Sequence, residues 1–197
     1  MLYLVRMEDV NVKAKAVVYT SNTGHSEEYA RMIGKKLSLP VYERKYAHNY
    51  IAKDTDIIYV SWVMAGMIKD YGKAKAMYHI VAVVAVGMDV SKGVELKVRV
   101  ENELPISTPF YLVFGGYRKD KLKGFYKWAY KRKEKSWIKE LEEESNLTPT
   151  QQELLDILKN GRSKIREENL KTLYKDFQKK LKDKVHQMWT LSFIRII

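Results

Sequence analysis

Cysteine is absent from this chain of 197 residues. Its absence excludes disulfides, thiolate-held metal sites and a cysteine nucleophile, and it leaves cysteine usage silent on the redox compartment. Histidine is scarce: His25, His48, His79 and His186 are scattered, and none falls in an H-E-x-x-H pair. No Ser-His-Asp, Cys-His or metal-ligand constellation stands out, so no general base and no metal ligand is assigned. No apolar run approaches the roughly 20 residues that a membrane-spanning helix needs. Met1–Val12 is interrupted by Arg6, Glu8 and Asp9 and does not read as a signal peptide. The expectation is a soluble cytoplasmic protein. Two glycine-rich nucleotide signatures are also missing, G-x-x-x-x-G-K-[ST] and G-x-G-x-x-G.

Acidic residues are in deficit. There are 24 Asp and Glu against 36 Lys and Arg, a formal charge of +12. Such a surplus favours anionic partners, whether nucleic acid, anionic lipid or an acidic substrate. The length suits one domain with a sizeable core, with an appended element at most.

The most informative stretch is Ala16–Ile33. Ala16, Val17, Val18 and Tyr19 form a short apolar run of the kind that makes a buried strand. A polar loop follows, Thr20 to Ser26. Ala30, Ile33 and Leu37 then recur at helical spacing, which predicts a helix from about Ser26 to Ser38. Strand, hydroxyl-rich loop and helix N-terminus together suit a phosphate, because the first turn of the helix offers unpaired N–H groups and the positive end of its dipole. Ser21, Thr23 and Ser26 add hydroxyl donors, Asn22 and His25 share the loop, and Gly24 lets the backbone turn sharply. No Lys or Arg lies in the loop itself, which suits a single terminal phosphate monoester. An ordinary strand-to-helix turn with a serine N-cap is the plainer alternative. His25 is expected to be an exposed loop residue, with a proton that responds to a nearby phosphate.

Further along, Val41 and Tyr42 suggest an edge strand within Leu39–Tyr46, and Tyr46–Ala52 a short connection. Asp56–Trp62 and Ile80–Val86 are buried-strand patterns, and Phe110–Phe114 is the last strand, ended by Gly115 and Gly116. Asp70–Met77 and Val94–Leu104 read as helices. Strands alternating with helices imply an α/β fold with a five-stranded parallel sheet, doubly wound. In such sheets ligands lie beyond the carboxyl ends of the strands. Two further loops therefore matter. Val63–Ile68 is predicted as a loop in which Ala65 and Gly66 allow close backbone approach and Trp62, Val63 or Met64 can face a flat ring. Gly87–Gly93 brings Gly87, Met88 and Asp89 to the other side. Trp62 can equally be a core aromatic, and Asp89 a loop cap.

Lys119–Ser145 is predicted as one long helix, in which Gly124 marks a start or a bend. Leu122, Phe125, Tyr126, Ala129 and Tyr130 share a face, continued by Trp137, Ile138 and Leu141. Between Arg118 and Lys135 there are nine Lys or Arg and two acidic residues. This basic amphipathic helix can pack its stripe on the sheet and solvate its lysines, or lie on an anionic membrane. Because its aromatics fall on that apolar face, nucleic acid is the less favoured partner. Thr148 and Pro149 start another helix that Gly161 stops. Glu167–Lys184 is the expected closing helix, and Val185–Ile197 an apolar tail.

The loop Ser21–Ser26 resembles the flavodoxin phosphate-loop signature: two apolar residues and an aromatic, here Val17, Val18 and Tyr19, then S-x-T-G-x-T, here Ser21, Thr23, Gly24 and Ser26, with serine in place of the final threonine. The run Phe114–Lys131, with Leu147–Gly161 and the segment beginning at Glu168, is similar to one branch of the flavodoxin-like superfamily. That branch contains menaquinone-dependent protoporphyrinogen dehydrogenase and small flavodoxin-domain proteins of bacteria. The resemblance covers about Lys15–Lys182. It implies a flavodoxin-like domain over residues 1–184, with a basic helical insertion at about 118–160 and the tail at 185–197. It further implies FMN as cofactor, its phosphate at Ser21–Ser26 and its ring flanked by Trp62–Gly66 and Gly87–Asp89. An FMN-dependent oxidoreductase or electron-transfer protein is implied, with a quinone, a porphyrinogen or a redox protein as partner. Ordinary electron-shuttling flavodoxins are acidic, so the charge here has the opposite sign. The rival expectation is a basic binding module of this fold that recruits nucleic acid or anionic membrane, at the inner face of the membrane in the latter case.

Overall fold

The computed structural model describes residues 14–122, 124–161 and 163–178. The predicted N-terminal extension Met1–Lys13, the end of the predicted closing helix and the tail Val185–Ile197 lie outside the described residues, as do the side chains of Phe125 and Tyr126.

The fold is α/β around a parallel sheet. The elements are β1 (Ala16–Thr20), α1 (His25–Leu37), β2 (Val41–Glu43), α2 (Arg44–Ala47), β3 (Asp56–Met64), β4 (Met67–Ile68), α3 (Tyr71–Met77), β5 (His79–Gly87), α4 (Lys92–Glu101), β6 (Phe110–Phe114), α5 (Gly124–Glu143) and α6 (Pro149–Asn160). A last helix, α7, covers 171–178 after a 3-10 turn at Glu167–Leu170. The strand order is β2-β1-β3-β5-β6, all parallel, with β4 added antiparallel to β3. The chain reverses its direction of travel across the sheet between β1 and β3, so a crevice opens at the carboxyl ends of those two strands.

Both faces of the sheet are covered, which is why its strands read as continuous apolar runs. Successive strand residues point to opposite faces. Val17, Ile58, Val60, Val84 and Val113 pack under α1 and α7, against Tyr29, Ile33, Leu170 and Leu173. Ala16, Val18, Tyr59, Val83 and Ala85 pack on the other face, against Ala47 of α2, Ala74 of α3 and Val98 of α4.

Three expectations need correction. Val63–Ile68 is a β-hairpin and not an open loop: Met64 pairs with Met67, and the two turn residues Ala65 and Gly66 have φ of 53° and 88°. Positive φ at both positions gives a turn whose twist matches the flanking strands. The long helix from Lys119 is broken. A 3-10 turn at Lys119–Lys121 and the extended Leu122 precede α5, which starts at Gly124. The apolar stripe of α5 does not lie on a sheet face. Tyr130, Trp137, Ile138 and Leu141 pack with Leu154, Ile157 and Leu158 of α6, and with Tyr117, Leu122, Met88 and Phe114. This third core stands at the carboxyl ends of β5 and β6. The start of α6 is as its sequence requires: the Thr148 hydroxyl accepts from the Gln151 N–H, and the Gln151 side chain accepts from the Thr148 N–H. Among the described residues no helix is long and apolar enough to cross a membrane.

Candidate functional site

The turn between β1 and α1 is built around Gly24. Its φ of 95° is one that only glycine adopts without strain, and its N–H donates to Ser21 Oγ at 3.0 Å. The carbonyl of Gly24 accepts the Glu28 N–H at 2.9 Å, the first hydrogen bond of α1. The earlier N–H groups of α1 are therefore directed outward from the turn.

His25 and Ser26 follow, and both are buried, at 5% and 1% exposure. The expectation of an exposed His25 is thus overturned; the end of β6 lies close by, since a Cβ on Gly115 would stand 3.8 Å from the His25 Cβ. His25 Nδ1 lies 3.0 Å from Thr23 Oγ1. His25 Nε2 and Ser26 Oγ, both buried, have no hydrogen-bond partner within the protein. Burial lowers the His25 pKa to about 4, helped by the Arg118 and Lys121 cations and opposed by Glu28. The ring is neutral at pH 7. The Thr23–His25 contact is compatible with either neutral tautomer; in the one where the Thr23 hydroxyl donates to Nδ1, Nε2 carries the proton.

The cleft gathers residues from four strand ends. Ser21, Asn22, Thr23, His25 and Ser26 form one wall; Trp62 and Val63 come from β3, and Gly87 and Met88 from the end of β5. Gly115, Gly116, Tyr117 and Arg118 follow β6, and Tyr130 reaches over from α5. Gly115 is required by close approach, since a Cβ there would stand 2.7 Å from Val86 Cγ1. Tyr117 stacks on Tyr130 with ring centroids 5.6 Å apart. Its hydroxyl donates to Glu134 at 3.3 Å, and burial with the Glu134 charge pushes its pKa up to about 12.

The other residues singled out in the sequence lie apart from these walls. Met64, Ala65 and Gly66 continue into the β3–β4 hairpin. A Cβ on Gly66 would meet Lys97 and Glu101 of α4, and the Gly66 carbonyl accepts from Asn102 Nδ2 at 2.8 Å. Asp89 is a loop cap, its Oδ1 accepting the Ser91 N–H at 2.8 Å.

Arg118 is the member of the site that the sequence did not reveal. Its Nη1 donates to the Thr23 carbonyl at 3.3 Å and to Glu28 Oε1 at 2.5 Å. A cation is thus delivered to a loop that has none of its own. The only signal was the position of Arg118 directly after the strand-ending Gly115–Gly116 pair, where a basic run invites a reading as solvated surface.

No protein-family model, no curated protein and no solved structure matches this chain.

The arrangement offers an anion several donors in a partly buried setting: first-turn N–H groups, the Ser26 hydroxyl and the Arg118 guanidinium, with the His25 ring beside them. Trp62, Val63, Gly87 and Met88 line the same cleft. Among the described residues no cluster of His, Asp and Glu is placed to hold a metal ion.

Proposed function

We propose that this chain is a flavodoxin-like FMN-binding protein that serves as an oxidoreductase or electron carrier. The observation that carries the reading is the pair of buried, unpartnered polar atoms, Ser26 Oγ and His25 Nε2, in the cleft at the start of α1. Buried polar groups are almost always satisfied, and two orphans on successive residues at a helix N-terminus suit a bound anion. The strand order β2-β1-β3-β5-β6 and a cleft at the switch point agree with the same reading.

FMN is the ligand proposed for this cleft. Ser21–Ser26 and Arg118 would hold its phosphate, and Trp62, Val63, Gly87 and Met88 would border its ring. When bound, the flavin supplies one-electron or hydride transfer. The chain's own part is to anchor the phosphate, exclude water with Tyr117, Leu122 and Tyr130, and present backbone groups of Gly87 and Met88 beside the ring. A quinone, a porphyrinogen or a redox protein is the proposed partner, and the cytoplasm the proposed location. A visible absorption spectrum, recorded before and after FMN loading and desalting, tests this. A retained flavin band is expected; a colourless protein that takes up no FMN overturns the reading.

A second reading is favoured by one surface feature. Trp128, at 59% exposure, shares a face of α5 with Lys131, Arg132 and Lys135. An aromatic among cations suits a peripheral contact with anionic lipid. Vesicles containing phosphatidylserine would then bind in low salt and release the protein in high salt.

A further inference from the structure

We propose that Arg118 is a phosphate clamp held in reserve by Glu28, and that it makes the cleft select phosphorylated over unphosphorylated ligands. The proposal rests on reading the cleft as an anion site, and it names the residue that sets its specificity.

The loop Ser21–Ser26 has no cation. Hydroxyls and helix N–H groups bind an anion, yet they discriminate weakly between a monoanion, a dianion and a neutral polar group. The acidic residues in the first turn of α1, Glu27 and Glu28, make matters worse for a dianion. Arg118 answers both difficulties. It neutralises Glu28 at 2.5 Å and stands against the phosphate-side backbone at Thr23. The guanidinium is pressed close to the turn, because a Cβ on Gly24 would lie 3.1 Å from Arg118 Nη1. Both contacts use Nη1, and a guanidinium has five N–H donors in a planar fork. Once Glu28 is released, such a fork engages a phosphate through two parallel hydrogen bonds.

The backbone that carries Arg118 is fixed from several directions. Tyr29 of α1 donates its hydroxyl to the Phe114 carbonyl at 2.5 Å. The Gly115 N–H donates to the Gly87 carbonyl at 2.8 Å, and the Gly115 carbonyl accepts from the Lys164 N–H at 2.9 Å. Gly116 bridges to Ser163. Exchange of partner from Glu28 to phosphate therefore asks only for side-chain rotation. Glu28 is 42% exposed at its side chain and Arg118 19%, so water receives the released carboxylate while the guanidinium is already largely withdrawn from solvent.

The test uses the full chain with three probes, inorganic phosphate, FMN and riboflavin, in titration calorimetry. Arg118→Gln is expected to weaken inorganic phosphate and FMN about 10- to 100-fold, the range for a hydrogen bond to a charged group, and to leave riboflavin within about twofold. Arg118→Lys keeps the charge without the fork and is expected to fall between. Glu28→Gln, which frees the guanidinium, is expected to tighten inorganic phosphate. Circular dichroism melts of each variant verify the fold. FMN binding that is indifferent to Arg118→Gln and Arg118→Lys overturns the clamp and leaves the cofactor reading standing. Phosphate binding that depends on Arg118, in a protein that takes up no FMN, removes the cofactor reading and leaves the clamp. A protein that binds none of the three probes removes both. Equal loss of riboflavin and FMN in a folded Arg118→Gln protein also overturns the clamp, since the arginine would then shape the whole cleft.

Discussion

Tyr29 and Phe114 join the first helix to the last strand of the sheet: the buried tyrosine hydroxyl donates to the Phe114 carbonyl at 2.5 Å. The same oxygen accepts from Asn169 Nδ2 at 2.5 Å, so one phenol ties α1, the end of β6 and the segment before α7 together. Arg118 and Gly115 reach the cleft from this junction. Tyr29→Phe keeps the ring, takes the hydroxyl from the Phe114 carbonyl and leaves Asn169 Nδ2 with the Lys164 carbonyl at 3.0 Å. It is expected to cost about 1–3 kcal/mol, read as a lower urea midpoint at unchanged slope. FMN affinity is expected to fall with it, because the backbone carrying Arg118 loses an anchor.

His25 links stability to pH. Its folded-state pKa is about 4, against an ordinary value of 6.5. Between those values the unfolded chain holds a proton that the folded chain refuses, so stability rises with pH across that window and is lost on acidification. The penalty is absent above the unfolded value and complete below the folded one. At pH 5 it amounts to about 1–2 kcal/mol. Urea melts at pH 7 and pH 5 should show a smaller difference for His25→Gln than for the wild type by about that amount. Inorganic phosphate at pH 5 should also narrow it, because an anion near the ring favours the imidazolium.

Much of this was legible in the chain. β1, β3, β5 and β6 are apolar because each is buried on both faces, and such strands announce themselves. Thr148–Pro149 and Gly161 mark α6 through local chemistry alone. What was not legible is tertiary. The β3–β4 hairpin turns on Ala65, a residue with no turn preference, held at positive φ while Asn102 grips the adjacent Gly66 carbonyl. The burial of His25 is not legible locally, because segments remote in sequence, Gly115 among them, lie close to it in the fold. Arg118 looked like one more surface cation because nothing local shows that the end of β6 returns to Thr23.

Asn102 deserves a stability test of its own. Its side chain is buried and fully engaged: Oδ1 accepts the Ile68 N–H at 2.9 Å, and Nδ2 donates to the carbonyls of Gly66 and Val98 at 2.8 and 2.7 Å. Asn102→Ala strands the Ile68 N–H and the Gly66 carbonyl. A loss of about 2–4 kcal/mol is expected. Amide exchange should quicken at Ile68 before it does in β5, since the hairpin loses its tie to α4.

Ser26 should behave in the opposite way. Its hydroxyl is buried at 1% exposure and bonds to nothing in the protein. Removing an unsatisfied buried oxygen relieves a desolvation cost, and the methyl of alanine fits where the serine Cβ already stands. Ser26→Ala is therefore expected to leave the thermal midpoint unchanged or to raise it by a few degrees. The same substitution takes a donor from the anion, and the affinity for FMN and inorganic phosphate is expected to fall about 5- to 10-fold, one ordinary hydrogen bond. A gain in stability paired with a loss in binding is the mark of a residue kept for a ligand. Ser26→Asp places a buried carboxylate where the phosphate would sit, and it is expected to abolish binding of both probes and to lower the midpoint. Should Ser26→Ala destabilise the chain while binding stays intact, the hydroxyl has a structural partner and the orphan pair no longer points to an anion.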